Sequence, residues 1–254
     1  MYTPTDRRRN PLVDANLLIP MGVFPGVGCI NKFGRNILVT DAADEEVWDG
    51  AAPYVFPATA LMTKLSQTTD QTAMRAQTIE IEGLDGDMAY VKQNVVLDGT
   101  LTTTAVTLGT ALKRVFRMRC LSAVVGDSPI RLHNTAENQD YAIILAGANQ
   151  TQMAMYSVPT GKKAYMTGYY ATINPGVGNP TALNIAIYVV DNANGYAKQL
   201  KHSVGLDLDF TAHIQHDFKP YIEIPAQADV YVVASPTGAN ADVQAGFDLI
   251  VVDQ

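Results

Sequence analysis

The chain has 254 residues, a formal net charge of -7 and a pI near 5.0. This acidic balance argues against direct nucleic-acid binding, because neutralising phosphate groups requires a net basic face. Charged residues make up 17% of the chain, below the roughly 25% of ordinary soluble domains, so much of the surface must be neutral and suited to contact with other protein.

The first 57 residues show no sustained helical or strand period. They combine apolar residues with prolines at positions 4, 11, 20, 25, 53 and 57. A disordered tail would be polar and rich in charge, so this composition predicts an extended N-terminal arm that lies on its own domain or on a neighbouring subunit. No apolar run reaches the roughly 18 residues of a membrane span, and we therefore expect no membrane partner.

The stretch GVFPGVG, Gly22 to Gly28, resembles a phosphate-binding loop only superficially. Such a loop follows a strand and opens a helix, so that the helix N-terminus approaches the phosphates. Pro25 and the following CINKFGRN do not fit that context. The stretch is therefore interpreted as part of the arm, without a nucleotide cofactor.

Beyond residue 57 the pattern changes to alternation with a period of two. In QTIEIEGLDGDMAYVKQNVVLDGT, residues 77–100, Ile79 and Ile81 alternate with Glu80 and Glu82, and LDGD supplies a turn. This segment predicts a β-hairpin whose two glutamates face solvent. Further β-branched runs follow to the C-terminus, separated by turn sequences such as NPGVGNP and SPTGANAD.

These runs predict an all-β fold, namely a jelly-roll-like antiparallel β-sandwich with an extended N-terminal arm. We divide the chain into the arm, residues 1–57, and one sandwich domain, residues 58–254. An alternative is two stacked sandwiches divided near residues 147–150, where LAGANQTQ interrupts the strands.

Candidate catalytic and metal-binding patterns are weak. His213 and His216 lie three apart, so in a strand they face opposite sides, and with His202 they are interpreted as positions on a solvated strand. The segment DNANG, residues 191–195, lacks the acidic ligand that ends a calcium loop and predicts a hairpin turn. No GxSxG elbow occurs. We therefore expect no enzyme, no catalytic residue, no cofactor and no metal.

Several segments together carry a resemblance to a known family. They are NKFGRN (31–36), EVWDG (46–50), YVFP (54–57), the hairpin IEGLDGDMAYVKQNVVLDG (81–99), RVFR (114–117) and NQTQMAMYSVPTGKKAYMTGYY (149–170). Over residues 31–170 the chain resembles a family of virion structural proteins from tailed bacteriophages, abundant in marine phages. The resemblance implies a protein of the virion, assembled in the host cytoplasm, and it brings no catalytic residues.

The expected function is a capsid decoration or cement protein that clamps neighbouring capsid subunits through its arm. Its expected partners are the major capsid protein or other virion proteins and further copies of itself, with a trimer favoured. Two alternatives remain: a tail or neck adaptor that anchors fibres, and a carbohydrate-binding β-sandwich module that uses exposed tyrosines.

The predicted interface comprises aromatic anchors and flanking charges within the arm. The anchors are Phe33, Trp48, Tyr54 and Phe56, and the flanking charges, expected to set the register against an acidic partner, are Lys32 and Arg35.

Overall fold

The computed structural model describes residues 14–41, 43–50, 53–174, 179–195, 197–209 and 211–254. The first 13 residues of the predicted arm lie outside these ranges. Within them, helical structure is limited to α1 (Ala15–Leu18) and a 3-10 turn (Thr72–Met74), neither of which is long enough to cross a membrane.

Antiparallel strands make up most of the described chain. They are, in chain order, β1 (Val27–Val39), β2 (Glu45–Glu46), β3 (Met62–Gln67), β4 (Thr78–Leu84), β5 (Tyr90–Val96), β6 (Val106–Leu112), β7 (Arg114–Cys120), β8 (Ile130–His133), β9 (Asp140–Ile144), β10 (Met155–Ser157), β11 (Lys162–Asn174), β12 (Ala182–Asp191), β13 (Gln199–Asp207), β14 (His213–Ile224), β15 (Ala228–Thr237) and β16 (Ala241–Asp253).

The strands form four sheets. Sheet I has the order β1-β16-β11-β14, and sheet II the order β10-β15-β12-β13 with β2 also paired to β15. Sheet III has the order β6-β3-β8-β9, and sheet IV the order β5-β4-β7. Sheets III and IV use strands between residues 62 and 144, whereas sheets I and II combine strands from both ends of the chain.

Two hydrophobic cores share sheet II. Core 1 is formed mainly by the facing sides of sheets I and II, and core 2 by sheets III and IV together with the other side of sheet II. Strand β15 shows this directly, because Val230, Val232 and Ala234 belong to core 1 while Tyr231 and Val233 belong to core 2. A strand with both faces buried is expected to be a continuous apolar run, and the β15 sequence VYVVA (230–234) is such a run.

The predicted all-β sandwich is confirmed, and so is its clearest hairpin. Strands β4 and β5 pair in antiparallel register from Thr78↔Val96 to Leu84↔Tyr90. In the turn, the Asp85 carboxylate accepts hydrogen bonds from the backbone N–H groups of Asp87 and Ala89. The predicted turn at residues 191–195 also joins two paired strands, β12 and β13.

The interpretation of Glu80 as a solvent-facing residue was wrong. Because β4 is the middle strand of sheet IV, charged side chains from both neighbouring strands cover this carboxylate. Lys92 lies 2.9 Å from one Glu80 oxygen and Arg119 lies 2.6 Å from the other, and Glu80 is buried. Burial by itself would raise the pKa of Glu80, but the hydrogen bonds and charges of these two cations together outweigh it and lower the pKa.

The structure also differs from the predicted arm over residues 27–57. Strand β1 pairs with β16 from Val27↔Val252 to Asn36↔Val243, and β2 adds to β15. These residues are therefore integral to sheets I and II. Strand β1 escaped detection because it is an edge strand with mixed surroundings, so its apolar residues do not alternate regularly.

Candidate functional site

The three predicted anchors nearest the end of the arm lie within the chain's own fold. Trp48 and Tyr54 are buried in core 2, with ring centroids 5.0 Å apart in an edge-to-face contact. Phe56 packs against Tyr54 at 4.8 Å and is partly buried. Their prediction as docking anchors was wrong, because these rings fill the chain's own hydrophobic core.

Arg35 also has its partner within the chain. Its Nε and Nη2 atoms donate to the two carboxylate oxygens of the buried residue Asp242, at 2.9 and 2.5 Å. This pairing raises the pKa of Arg35. Arg35 thus already has a bidentate carboxylate partner within the chain, and its role against an acidic partner stays a prediction.

The two remaining predicted residues, Lys32 and Phe33, line a cleft of about 800 Å³ beside strand β1. One wall is β1 itself, and the facing wall comes from sheet IV and the segment that leads into β11. The lining residues are Gly26, Val27, Gly28, Cys29, Ile30, Asn31, Lys32, Phe33, Glu82, Tyr90, Phe116, Arg117, Gln150, Tyr156, Pro159, Lys162 and Val251.

Aromatic rings line the wall opposite β1. Phe116 packs on Tyr156 with ring centroids 4.4 Å apart, and Tyr90 lies nearly parallel to Phe116 at 6.5 Å with an interplanar angle of 18°. Phe116 and Tyr156 are buried, whereas Tyr90 is half exposed. Burial and the neighbouring Glu82 carboxylate raise the pKa of Tyr90 to about 12, so its hydroxyl stays protonated at neutral pH. The three rings together form an apolar platform within the cleft.

Lys32 is the most unusual polar residue of this cleft. Its side chain is almost completely buried, and its Nζ atom donates a hydrogen bond to the backbone oxygen of Phe116. Burial lowers the pKa of Lys32 to about 7, and the charge of Arg117 acts in the same direction while that of Glu82 opposes it. Near neutral pH the amine is therefore poised between its charged and neutral forms.

Replacing Lys32 with methionine should stabilise the chain at pH 7 by about 1–3 kcal/mol, because it removes a poorly paired buried amine. The pKa of Lys32 is about 7 in the folded chain and near 10.5 when unperturbed. Between these values the unfolded chain binds more protons, so wild-type stability rises with pH. The methionine variant's advantage should thus shrink by roughly 2 kcal/mol between pH 7 and pH 9.

Urea unfolding at the two pH values measures this difference. Lys162, a partly exposed lysine of the same cleft that pairs with Asp253, provides the matched control. Lys162→Met should change the unfolding free energy by no more than about 0.5 kcal/mol. An advantage of Lys32→Met that is the same at both pH values would contradict the expectation.

The histidines that appeared solvated in the sequence instead form a packed cluster at one edge of core 1. The rings of His202 and His216 stack with centroids 4.3 Å apart, and Phe218 packs edge-on against both. The Tyr169 hydroxyl lies 2.8 Å from Nδ1 of His202. Burial and the neighbouring His216 lower the pKa of His202. His213 is exposed, as the solvated-strand interpretation expected, whereas His202 and His216 are only partly exposed and pack against their neighbours.

Among the described residues, no group of three or more histidine, cysteine, aspartate or glutamate side chains is arranged to hold a metal ion. A scan against protein-family models found no matching family, and a search of the curated proteins found no match. The function proposed for this chain therefore rests on its own residues and on the resemblance of its motifs.

Proposed function

We propose that this chain is a structural subunit of a bacteriophage virion, where it decorates the capsid and holds neighbouring capsid subunits together. The observation that supports this proposal is an exposed apolar surface on residues 17–24, near the start of the described chain. Between residues 17 and 24, four large apolar side chains are 37–65% exposed, namely those of Leu17, Met21, Val23 and Phe24. Closely spaced exposed apolar side chains of this kind mark sites where another protein binds.

This segment has a defined conformation before any partner binds. The backbone N–H groups of Met21 and Val23 donate to the carbonyls of Leu17 and Leu18, at 3.3 and 3.1 Å. Leu18 is buried, and Ile19 helps to line a groove across sheet I. Because the backbone is already held, a partner would not have to offset the full ordering cost of roughly 1–2 kcal/mol per residue.

The proposed partner is the major capsid protein or another virion protein, with further copies of this chain completing an oligomer, for which we favour a trimer. A chain poor in charge is suited to such contacts, since the centres of protein interfaces are depleted in charged residues.

Substitution of Leu17, Met21 and Phe24 together by serine should reduce co-sedimentation with capsids at least tenfold, because it removes the apolar contact surface. Since these side chains are exposed, the thermal unfolding curve should not change. Deletion of residues 1–57 would be a poorer test, because it also removes β1 and Trp48. The matched control changes Leu61, Leu101 and Leu121, which are 45–49% exposed elsewhere, to serine. Undiminished capsid binding by the first variant would refute the proposal.

A tail or neck adaptor that anchors fibres could use the same apolar segment. Copy number separates the two locations, because a decoration protein follows the many positions of the capsid lattice while an adaptor follows the few positions of the tail. Quantitative mass spectrometry of purified virions measures this number, and a value that matches the tail would replace the capsid assignment.

The cleft favours a second candidate function, a carbohydrate-binding module. Its half-exposed Tyr90 and the neighbouring Phe116 offer a ring platform, and Glu82 and Gln150 supply polar side chains in the same cleft. Binding sites for small molecules commonly combine an apolar floor with a few polar groups in this way. A glycan array on which the chain binds nothing would remove this candidate.

A further inference from the structure

Two cations in the cleft lack a carboxylate partner within the described part of the chain. Lys32 is only 4% exposed, and its Nζ atom, which has three hydrogens to donate, bonds to one backbone carbonyl. Arg117 donates to the Asn31 carbonyl at 3.4 Å and lies 5.9 Å from the Phe33 ring centroid. Neither forms an ion pair with a described residue. A buried cation without a counter-charge is costly, and an anion entering the cleft would offset that cost.

The other charged groups of the cleft already have partners. Glu82 lies 3.6 Å from Lys92, and Lys162 pairs with Asp253. The Glu82 carboxylate also attracts the Lys32 amine, but these two groups are too far apart to form an ion pair. The charge that remains to be neutralised in the cleft is therefore positive, although the chain as a whole is acidic.

The platform that faces these cations suits a ring with polarised C–H bonds. Tyr90, Phe116 and Tyr156 form a continuous aromatic series, and Tyr90, the half-exposed member, is the one open to a ligand. The negative face of an aromatic ring attracts weakly positive C–H groups, which the flat side of a pyranose presents. Glu82 and Gln150 also line the cleft, and their polar side chains are the groups that sugar hydroxyls would bind.

An acidic peptide is less well matched to this cleft. A peptide would be expected to extend sheet I by pairing with the free edge of β1. The carbonyl of Asn31 on that edge already accepts a hydrogen bond from Arg117, so continuous pairing would require this contact to break.

We propose that the cleft binds an acidic saccharide, with the carboxylate of a sugar acid held between Lys32 and Arg117 and its pyranose ring lying on Tyr90. This inference rests on the second candidate function, the carbohydrate-binding module, and specifies the class of glycan. It does not depend on the capsid proposal, which concerns a different surface.

Protonation of Lys32 should be coupled to binding, because only the ammonium form pairs with a carboxylate. Affinity should fall at least tenfold from pH 6 to pH 9 in the wild-type chain, since the pKa of free Lys32 is about 7. The other titratable groups facing the cleft are Cys29, Glu82, Tyr90, Arg117, Tyr156 and Lys162. Of these, burial raises the pKa of Tyr156, and that of Tyr90 is about 12, so both tyrosines remain neutral over this range.

The test uses the full chain in isothermal titration calorimetry with trigalacturonate and with sialyllactose. The matched neutral ligands are the methyl ester of trigalacturonate and unmodified lactose. Tyr90→Ala tests the platform, and Tyr221→Ala is its control, because these tyrosines are 50% and 51% exposed and only Tyr90 lines the cleft. Lys32→Met tests the anion site.

We expect at least one acidic sugar to bind at least tenfold more tightly than its neutral counterpart. Tyr90→Ala and Lys32→Met should each weaken that binding at least tenfold, Tyr221→Ala should leave it unchanged, and the pH dependence should disappear in Lys32→Met. Equal affinity for acidic and neutral sugars would overturn the proposed specificity for acidic sugars but would still support a carbohydrate-binding module. Failure of every saccharide to bind would overturn both the acidic specificity and the carbohydrate-binding function. Equal binding of hexaglutamate would overturn the assignment to a sugar.

Discussion

Replacing Asp229 with alanine is expected to destabilise the chain by about 3–5 kcal/mol, the usual cost of breaking a buried ion pair by removing one partner. Both oxygens of the Asp229 carboxylate are held by Arg114, whose Nε and Nη2 atoms each lie 2.8 Å away. Ser157 and Asn192 also donate to this carboxylate. Without Asp229 the guanidinium would remain buried with its charge uncompensated.

This ion pair also joins sheet IV to sheet II. Arg114 begins β7 in sheet IV, whereas Asp229 lies near the start of β15 in sheet II. Arg114 further donates to the carbonyl of Pro57 at 2.6 Å and lies over the Phe56 ring. The loss should therefore loosen the segment that leads into core 2 as well as the contact between the sheets.

Urea unfolding measures the effect, with the exposed pair Lys163–Glu223 as the control. The Nζ atom of Lys163 lies 2.9 Å from Oε1 of Glu223, but half of the Glu223 side chain is exposed. Glu223→Ala should therefore lower the free energy of unfolding by no more than about 1 kcal/mol. The double variant Arg114→Met, Asp229→Leu removes both charges and should recover much of the stability lost in Asp229→Ala. Equal costs for Asp229→Ala and Glu223→Ala would contradict the assigned role.

A second large effect is expected at Gly34, in the middle of β1. Here β1 crosses close to Val47 and to the segment before β10. A β-carbon at this position would lie 2.2 Å from the backbone nitrogen of Ala154 and 2.3 Å from the carbonyl oxygen of Val47. Those two atoms are hydrogen-bonded to each other, so neither can move without disturbing the pairing.

Gly34→Ala should therefore cost about 3 kcal/mol or more, at the upper end of overpacking effects. That corresponds to a fall in melting temperature of roughly 6–12 °C for a chain of this size. Circular dichroism melting measures it, and Gly28→Ala is the control on the same strand, since a β-carbon there meets no atom within 4 Å. Similar melting temperatures for the two variants would show that β1 does not approach its neighbours this closely.

The Gly34 result changes how the NKFGRN motif is interpreted. In the sequence this motif suggested an interface with a neighbouring subunit. In the structure, Gly34 permits a close backbone approach, Arg35 pairs with Asp242, and the first three residues of the motif, 31–33, line the cleft. A lone glycine within a strand often marks such an approach, and this is the signal that could have located β1.

Most of the candidate site could not be assembled from local patterns. Lys32 and Phe33 were selected from the sequence, but Tyr90, Phe116 and Tyr156 were not associated with them. Tyr90 begins the second strand of the predicted hairpin, whereas Phe116 lies in β7 of the same sheet. Nothing in either segment indicates which strand lies across the cleft, because alternation reports only that one face of a strand is buried.

The sequence by itself determined the all-β class, the β4–β5 hairpin and the turn between β12 and β13. These features depend on side chains two to five positions apart, whose alternation and turn chemistry can be recognised locally. Only the tertiary structure decided that β1 belongs to sheet I, that Trp48 and Tyr54 fill core 2, and that Lys32 is buried. The hydrogen bond from Lys32 to Phe116 joins residues 84 positions apart, and the Arg114–Asp229 pair spans 115. Burial of a charge depends on such distant partners, because they and not the neighbouring residues exclude water from it.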